Sequence, residues 1–153
     1  MEDIKYFQNI AIAHEDDRRI IYDPNVVPSH VRGKHFLHNI IFIKDSQTYL
    51  GNHKHSQDML YFSPSGDLVI SFALAGKSKL YELKRGSMVF IPRDVYSTVR
   101  GKTGSMIYGF GSRPYEESRT EASDLETKKL LESLIDAHWE SMENAQSVPT
   151  IAA

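Results

Sequence analysis

Three features of the sequence predict an all-β fold, a sandwich or barrel, followed by one C-terminal helix. Eight short runs rich in β-branched and aromatic residues recur between Lys34 and Phe110. Gly, Pro and Asp turn residues separate them at close spacing, and no helix-length period interrupts them. Beyond Tyr115 the composition turns polar, and a helical stripe begins near Ser123.

Residues 1–30 show no strong helical period. Ile10-Ala11-Ile12-Ala13 and Ile20-Ile21-Tyr22 read as short strands on either side of the charged segment 14–19. Asp23-Pro24-Asn25 and Pro28-Ser29 are turn chemistry, so an N-terminal arm of short strands and loops is expected. The regular runs then occupy residues 36–43, 48–50, 59–62, 68–74, 79–83, 88–91, 95–99 and 106–110. Ser123, with Glu126 three residues on, has the form of a capping box and predicts a helix starting there. Leu125, Leu131, Leu134, Ile135, His138, Trp139 and Met142 fall on one stripe, which assigns the lone tryptophan to packing. The expected division is residues 1–120 as barrel plus arm, and residues 121–145 as a helix packed on the same domain.

Composition narrows the functions. A chain of 153 residues, 41% hydrophobic and 25% charged, is ordinary for one globular domain. Its net charge of -2 gives no basic surplus for nucleic acid. The absence of cysteine removes disulfides, thiolate nucleophiles and Cys-based zinc sites. No stretch approaches about 20 apolar residues, and Met1-Glu2-Asp3 is not a basic leader start, so the cytoplasm is expected and a membrane partner is not.

The chemistry concentrates at Gly51-Asn52-His53-Lys54-His55. Residues two apart on a strand share a face, so an extended stretch projects both imidazoles into one space and turns Lys54 away. On a helix the two rings would diverge by about 200°. A pair of surface histidines on an edge strand is the plain alternative.

This His-x-His inside a β rhythm resembles the cupin superfamily, the RmlC-like jelly rolls. His53, His55 and Gly66 match the first cupin motif, with Met59 at the acid position and Asp58 beside it. Gly86 and Pro92 match the second, with Asp94 at its glycine and Ser97 at its histidine. Within the superfamily the layout is most similar to the WxcM-like 3,4-ketoisomerases of dTDP-4-keto-6-deoxyhexoses. Gly51-Asn52-His53-Lys54-His55 corresponds to their central block, and the segment 111–118 resembles their Tyr-acid-Glu-Ser tail. Leu50 stands at the family's arginine, and Ile40 and Ile41 stand where its strand tyrosines are. The resemblance implies a double-stranded β-helix, the cupin jelly-roll barrel, with a site in the barrel mouth, a nucleotide-sugar substrate and a homodimer.

Moving a ketone between neighbouring sugar carbons needs a group that removes a proton and returns one, a task suited to histidine. His53 is the expected base and His55 its acid or orienter, with Tyr61 and Tyr108 as polarisers of the oxygen. Arg32, Lys34, Arg93 and Arg100 are candidate cations for a pyrophosphate. This reading favours no cofactor. A divalent metal is the alternative, held by His53, His55 and Asp58, with His35 and His38 as substitutes. Because Asp58 lies an odd number of residues from His55, that set requires a bend at Ser56-Gln57. A third reading is a ligand-binding barrel without catalysis.

Overall fold

The computed structural model describes residues 4–8, 11–16, 19–23, 36–113 and 119–147. In chain order the elements are β1 (Lys5–Phe7), β2 (Ala11–Asp16), β3 (Arg19–Asp23), β4 (Phe36–Phe42), β5 (Leu50–His55), β6 (Met59–Ser63), β7 (Leu68–Leu74), β8 (Lys77–Leu83), β9 (Ser87–Ile91), β10 (Tyr96–Gly101), β11 (Met106–Gly111), β12 (Thr120–Ala122) and helix α1 (Leu125–Ser147). Seven of the eight regular runs lie in strands, and of the run 48–50 only Leu50 does, opening β5. Two strands, β1 and β12, carry too little pattern over three residues each to be seen in the sequence.

The strands form two five-stranded sheets, ordered β1-β9-β6-β11-β4 and β12-β5-β10-β7-β8, and a separate hairpin of β2 with β3. From β4 to β7, and again from β8 to β12, consecutive strands change sheet, which gives the predicted jelly roll. Period-two alternation fills the space between the sheets. Met59, Tyr61, Val89, Ile91 and Ile107 of one sheet meet Leu68, Ile70, Phe72 and Leu83 of the other in one buried cluster.

The outer faces differ. On the β5–β8 sheet, Leu131, Ile135 and Trp139, four residues apart on α1, are buried against Val69 with Tyr49, Leu80 and Met142 around them. Ser71 reaches across to donate to the Leu131 carbonyl at 3.0 Å. The helix cap corrects the expected one: Asp124, not Ser123, accepts from the Thr127 N–H at 2.7 Å, and the helix starts at Leu125. That hydrogen bond holds the Asp124 carboxyl below the usual range.

On the other sheet, Leu60, Met88 and Phe90 form a second cluster with Phe7, Phe62 and Phe110. At the β4 edge of this sheet, Leu37, Ile40 and Phe42 are each more than half exposed. The part of the α1 stripe around Leu131, Ile135 and Trp139 is covered by its own sheet. Among the described residues no helix is long and apolar enough to cross a membrane.

Candidate active site

A single extra residue puts the two histidines where they meet. Along β5, Leu50 faces the interior, so uninterrupted alternation would turn His53 and His55 outward. The pairing with β10 shifts between Ser97, opposite His53, and Thr98, opposite Gly51, leaving Asn52 as an added residue. Gly51 and Asn52 both take positive φ, 93° and 55°. A Cβ on Gly51 would sit 2.9 Å from the Ser97 carbonyl oxygen, so both the backbone twist and the close approach require glycine there. Asn52 is then turned to the helix side, donating to Glu132 at 3.0 Å and accepting from Thr98 at 2.5 Å. Lys54 also points away, pairing with Glu121 at 3.4 Å.

The bulge opens a cavity of about 520 Å³ between the sheets. His38, Asn39 and Ile41 of β4, Leu50, Gly51, His53 and His55 of β5, and Tyr61, Ser97, Val99, Ile107 and Thr120 line it. Ser97, the residue at the position of the second-motif histidine, therefore lies in the cavity facing His53.

Hydrogen bonding sets the protons. The Nδ1 of His53 lies 3.0 Å from the Gly51 carbonyl oxygen, which only accepts, so His53 carries hydrogen on Nδ1. Its Nε2 is left to face the Nε2 of His55 at 3.1 Å, with the rings edge-on at 80°. Two bare nitrogens at that distance would repel, so one shared proton lies between them, supplied by His55 when both rings are neutral. His55 Nδ1 is then a buried acceptor, and among the described residues it has no partner. The Tyr61 hydroxyl lies 3.4 Å from His55 Nε2.

Burial controls the charges. His55 is 8% exposed, and desolvation followed by the nearby His53 and His38 pushes its pKa down to about 4. Desolvation also lowers His38 and raises the fully buried Tyr61 phenol. At neutral pH the cavity therefore holds a neutral His55 and a Tyr61 that keeps its proton.

Linkage fixes how stability responds. The folded protein resists protonating His55, whereas the unfolded chain takes that proton below about pH 6.5. Stability contributed by neutral His55 is thus complete above pH 6.5 and is lost as pH falls towards 4. At 1.36 kcal/mol per pKa unit, reduced for water in the open cavity, about 2 kcal/mol goes over that window. Thermal melts between pH 4 and pH 7 should show the loss, and His55→Gln should flatten it; an equally steep profile in the variant would place the titration elsewhere.

Other candidates fall outside the cavity. Tyr108 follows Ile107 on β11 and so faces the opposite side, where its ring packs 6.2 Å from Phe62. Arg100 is one residue from the cavity-lining Val99 and projects to the helix side, donating to the Ser46 carbonyl at 2.7 Å with its guanidinium 4.4 Å from the Trp139 ring centre. Strand parity removes both from the predicted roles. The predicted bend at Ser56-Gln57 exists, yet it delivers Asp58 to Arg93, whose N–H it accepts at 2.9 Å and whose Nε lies 3.6 Å away. Asp58 is consequently no third ligand beside the histidines, and Arg93 is ion-paired. Among the described residues no three His, Asp or Glu side chains converge to hold a metal. Arg32, Lys34 and His35 lie outside the described residues.

Two polar groups complete the site, Asn39, which sequence reading did not select, and His38, which it named as a substitute metal ligand. Asn39 presents a buried carboxamide oxygen with no partner among the described residues, in a space that Gly109 keeps open: a Cβ there would lie 2.2 Å from it. His38 Nδ1 lies 3.3 Å from the Gln57 side-chain nitrogen.

No family model matches the chain, and neither does any curated protein sequence. Solved structures do resemble it. A 3,4-ketoisomerase from Helicobacter canadensis superposes with a TM-score of 0.58 at 17% identity, over 76% of this chain and 88% of that one. A variant of the 3,4-ketoisomerase QdtA from Thermoanaerobacterium thermosaccharolyticum, in complex with TDP-4-keto-6-deoxyglucose, gives 0.59 at 15%, over 78% and 88%. The dTDP-4-dehydrorhamnose 3,5-epimerase of Sulfolobus tokodaii gives 0.52 at 18%, over 68% and 69%. These likenesses establish the fold, an RmlC-like cupin jelly roll.

Proposed function

We propose that this jelly roll is a sugar-nucleotide isomerase that moves a ketone between adjacent carbons of a TDP-linked keto-deoxyhexose by acid–base chemistry. The observation that carries the proposal is the pair of imidazoles, Nε2 to Nε2 at 3.1 Å, beside a buried phenol inside a cavity of about 520 Å³. Support comes from structures of like fold whose proteins are ketoisomerases, one of them holding TDP-4-keto-6-deoxyglucose.

The reaction needs neither oxidant nor reductant. His53 takes the proton from the carbon that bears the hydroxyl next to the ketone, and the ketone oxygen gains one, giving an ene-diol. A proton then returns to the former ketone carbon while the other enol oxygen releases its own and becomes the new ketone. The Gly51 carbonyl fixes the His53 tautomer and the orientation of its ring. His55, held neutral, orients the His53 ring through the Nε2–Nε2 contact without adding a second positive charge beside it. Tyr61, held protonated by burial, donates towards developing negative charge on oxygen. The Asn39 oxygen accepts from a sugar hydroxyl.

The first test is a melting experiment with TDP on chelator-treated protein. A ligand that binds only the native state adds RT ln(1 + [L]/Kd), about 2.7 kcal/mol at a hundredfold excess over Kd. A rise in Tm with TDP, followed by conversion of TDP-4-keto-6-deoxyglucose seen by NMR, is the expected result. No rise and no conversion would favour the non-catalytic barrel, and a rise with divalent metal alone would favour the metal reading.

A further inference from the structure

We infer that the Ser97 hydroxyl relays a proton between the ligand's two reacting oxygens, accepting from the hydroxyl that becomes the ketone while donating to the ketone that becomes the hydroxyl. The inference rests on the ketone-isomerising reading and deepens it.

The place of this serine in its strand is the first observation. Val95, Ser97 and Val99 point inward, Val95 into the core and Val99 into the cavity, while Thr98 and Arg100 face the helix side. A hydroxyl thus stands where the pattern calls for valine. Ser97 is 6% exposed, and a buried hydroxyl costs free energy unless it is hydrogen-bonded. Ser63, Ser71 and Ser87 are buried too, and each donates to a main-chain carbonyl, at 3.4, 3.0 and 2.6 Å. Thr98, the next hydroxyl along β10, donates to Asn52. Among the described residues the Ser97 hydroxyl has no such partner, and it lines the cavity.

Register supplies the second observation. Ser97 stands opposite His53 in the β10–β5 pairing, and the bulge at Asn52 turns both side chains into one cavity. Cross-strand neighbours hold their Cβ atoms about 5 Å apart. A ligand carbon within reach of His53 therefore brings its oxygen, and that of the adjoining carbon, to Ser97.

The chemistry needs a group that donates and accepts at one atom, which a hydroxyl does and a carboxamide does not. His53 takes the proton from carbon, the C–H electron pair forms the carbon–carbon double bond, and the carbonyl pair moves onto the ketone oxygen. That oxygen takes the Ser97 proton as Ser97 takes the proton of the neighbouring hydroxyl. An ene-diolate results, its charge moved to the second oxygen. His53 then returns its proton to the former ketone carbon as the new carbonyl forms, and Ser97 ends unchanged. One base at carbon and one hydroxyl at oxygen account for every proton.

The test compares α-hydrogen exchange in D₂O with isomerisation of TDP-4-keto-6-deoxyglucose, both followed by NMR. Native protein should do both. Ser97→Ala should lower conversion by about tenfold or more and exchange by less than about threefold, because His53 still opens the C–H bond while the charge cannot cross between the oxygens. Ser97→Thr, which keeps the hydroxyl on a side chain suited to a strand, should recover conversion to within about threefold of native. The Kd for TDP should stay within about twofold in both variants, since the relay addresses the sugar oxygens alone. Ser97→Ala should also keep its Tm within about 2 °C, as no protein group loses a hydrogen bond. Conversion and exchange that fall in step in Ser97→Ala, or that both stay at the native level, overturn the relay and spare the functional reading. Native protein that neither exchanges nor converts this substrate brings down the functional reading and the relay with it.

Discussion

His53→Gln should reduce kcat on TDP-4-keto-6-deoxyglucose by about 10²- to 10⁴-fold, the range for loss of a general base. The side chain keeps a polar end but cannot take a proton from carbon. His53 lies at the turning point of the network: its Nδ1 is committed to the Gly51 carbonyl, and only Nε2 is able to exchange protons. Binding of TDP should persist within a few-fold, because the base addresses the sugar carbon and not the nucleotide. Exchange of the substrate's α-hydrogen with D₂O, followed by NMR, should fail with the same severity as turnover. That pairing separates chemistry from misfolding, since a collapsed cavity would lose TDP as well. Retained exchange and turnover in His53→Gln would remove His53 from the base role and leave the imidazole pair as a buried structural contact.

The fold was readable because period-two alternation and turn residues leave strong marks, and seven of the eight regular runs lie in strands. The His-x-His pair was readable for the same reason, since any strand puts residues two apart on one side. Which side was not. That depended on Asn52 as an extra residue, and a Gly-Asn pair reads equally well as a turn. Parity also explains the errors. Tyr108 and Arg100 are chemically suited to the site but stand one residue out of phase with Ile107 and Val99. Asp58 was placed by its backbone bend and claimed by Arg93, a contact 35 residues away that no local pattern encodes. Gln57 escaped attention because a glutamine in a bend has no signature; its place beside His38 is fixed by the Arg113 N–H. The cap moved by one residue because Asp and Ser are both good N-caps and stand side by side.

Arg100→Met should lower stability by about 2–4 kcal/mol, the combined scale of charged hydrogen bonds and a desolvated cation–π contact. For a chain of this size that is roughly a 5–15 °C fall in Tm. Arg100 is 9% exposed, and its guanidinium serves three partners: the Ser46 carbonyl at 2.7 Å, Gln47 Oε1 at 3.4 Å and Asp136 at 3.3 Å. It also covers the faces of Trp139 and Tyr49, while the Tyr49 hydroxyl donates to Asp136. Burial and that hydrogen bond push the Tyr49 pKa up to about 12, so the phenol stays a donor throughout the physiological range. Arg100 thereby ties the 43–49 loop, β10 and α1 together behind the cavity. Methionine keeps an apolar stem over Trp139 but leaves the Ser46 carbonyl without its donor; Asp136, half-exposed, returns to water at little cost. The loss should depend only weakly on salt, because the most buried contact is to a neutral carbonyl. Below the melting range, TDP affinity should match the parent protein. A tenfold weaker Kd for TDP with an unchanged Tm would reverse the assignment and return Arg100 to the phosphate-binding role its charge first suggests.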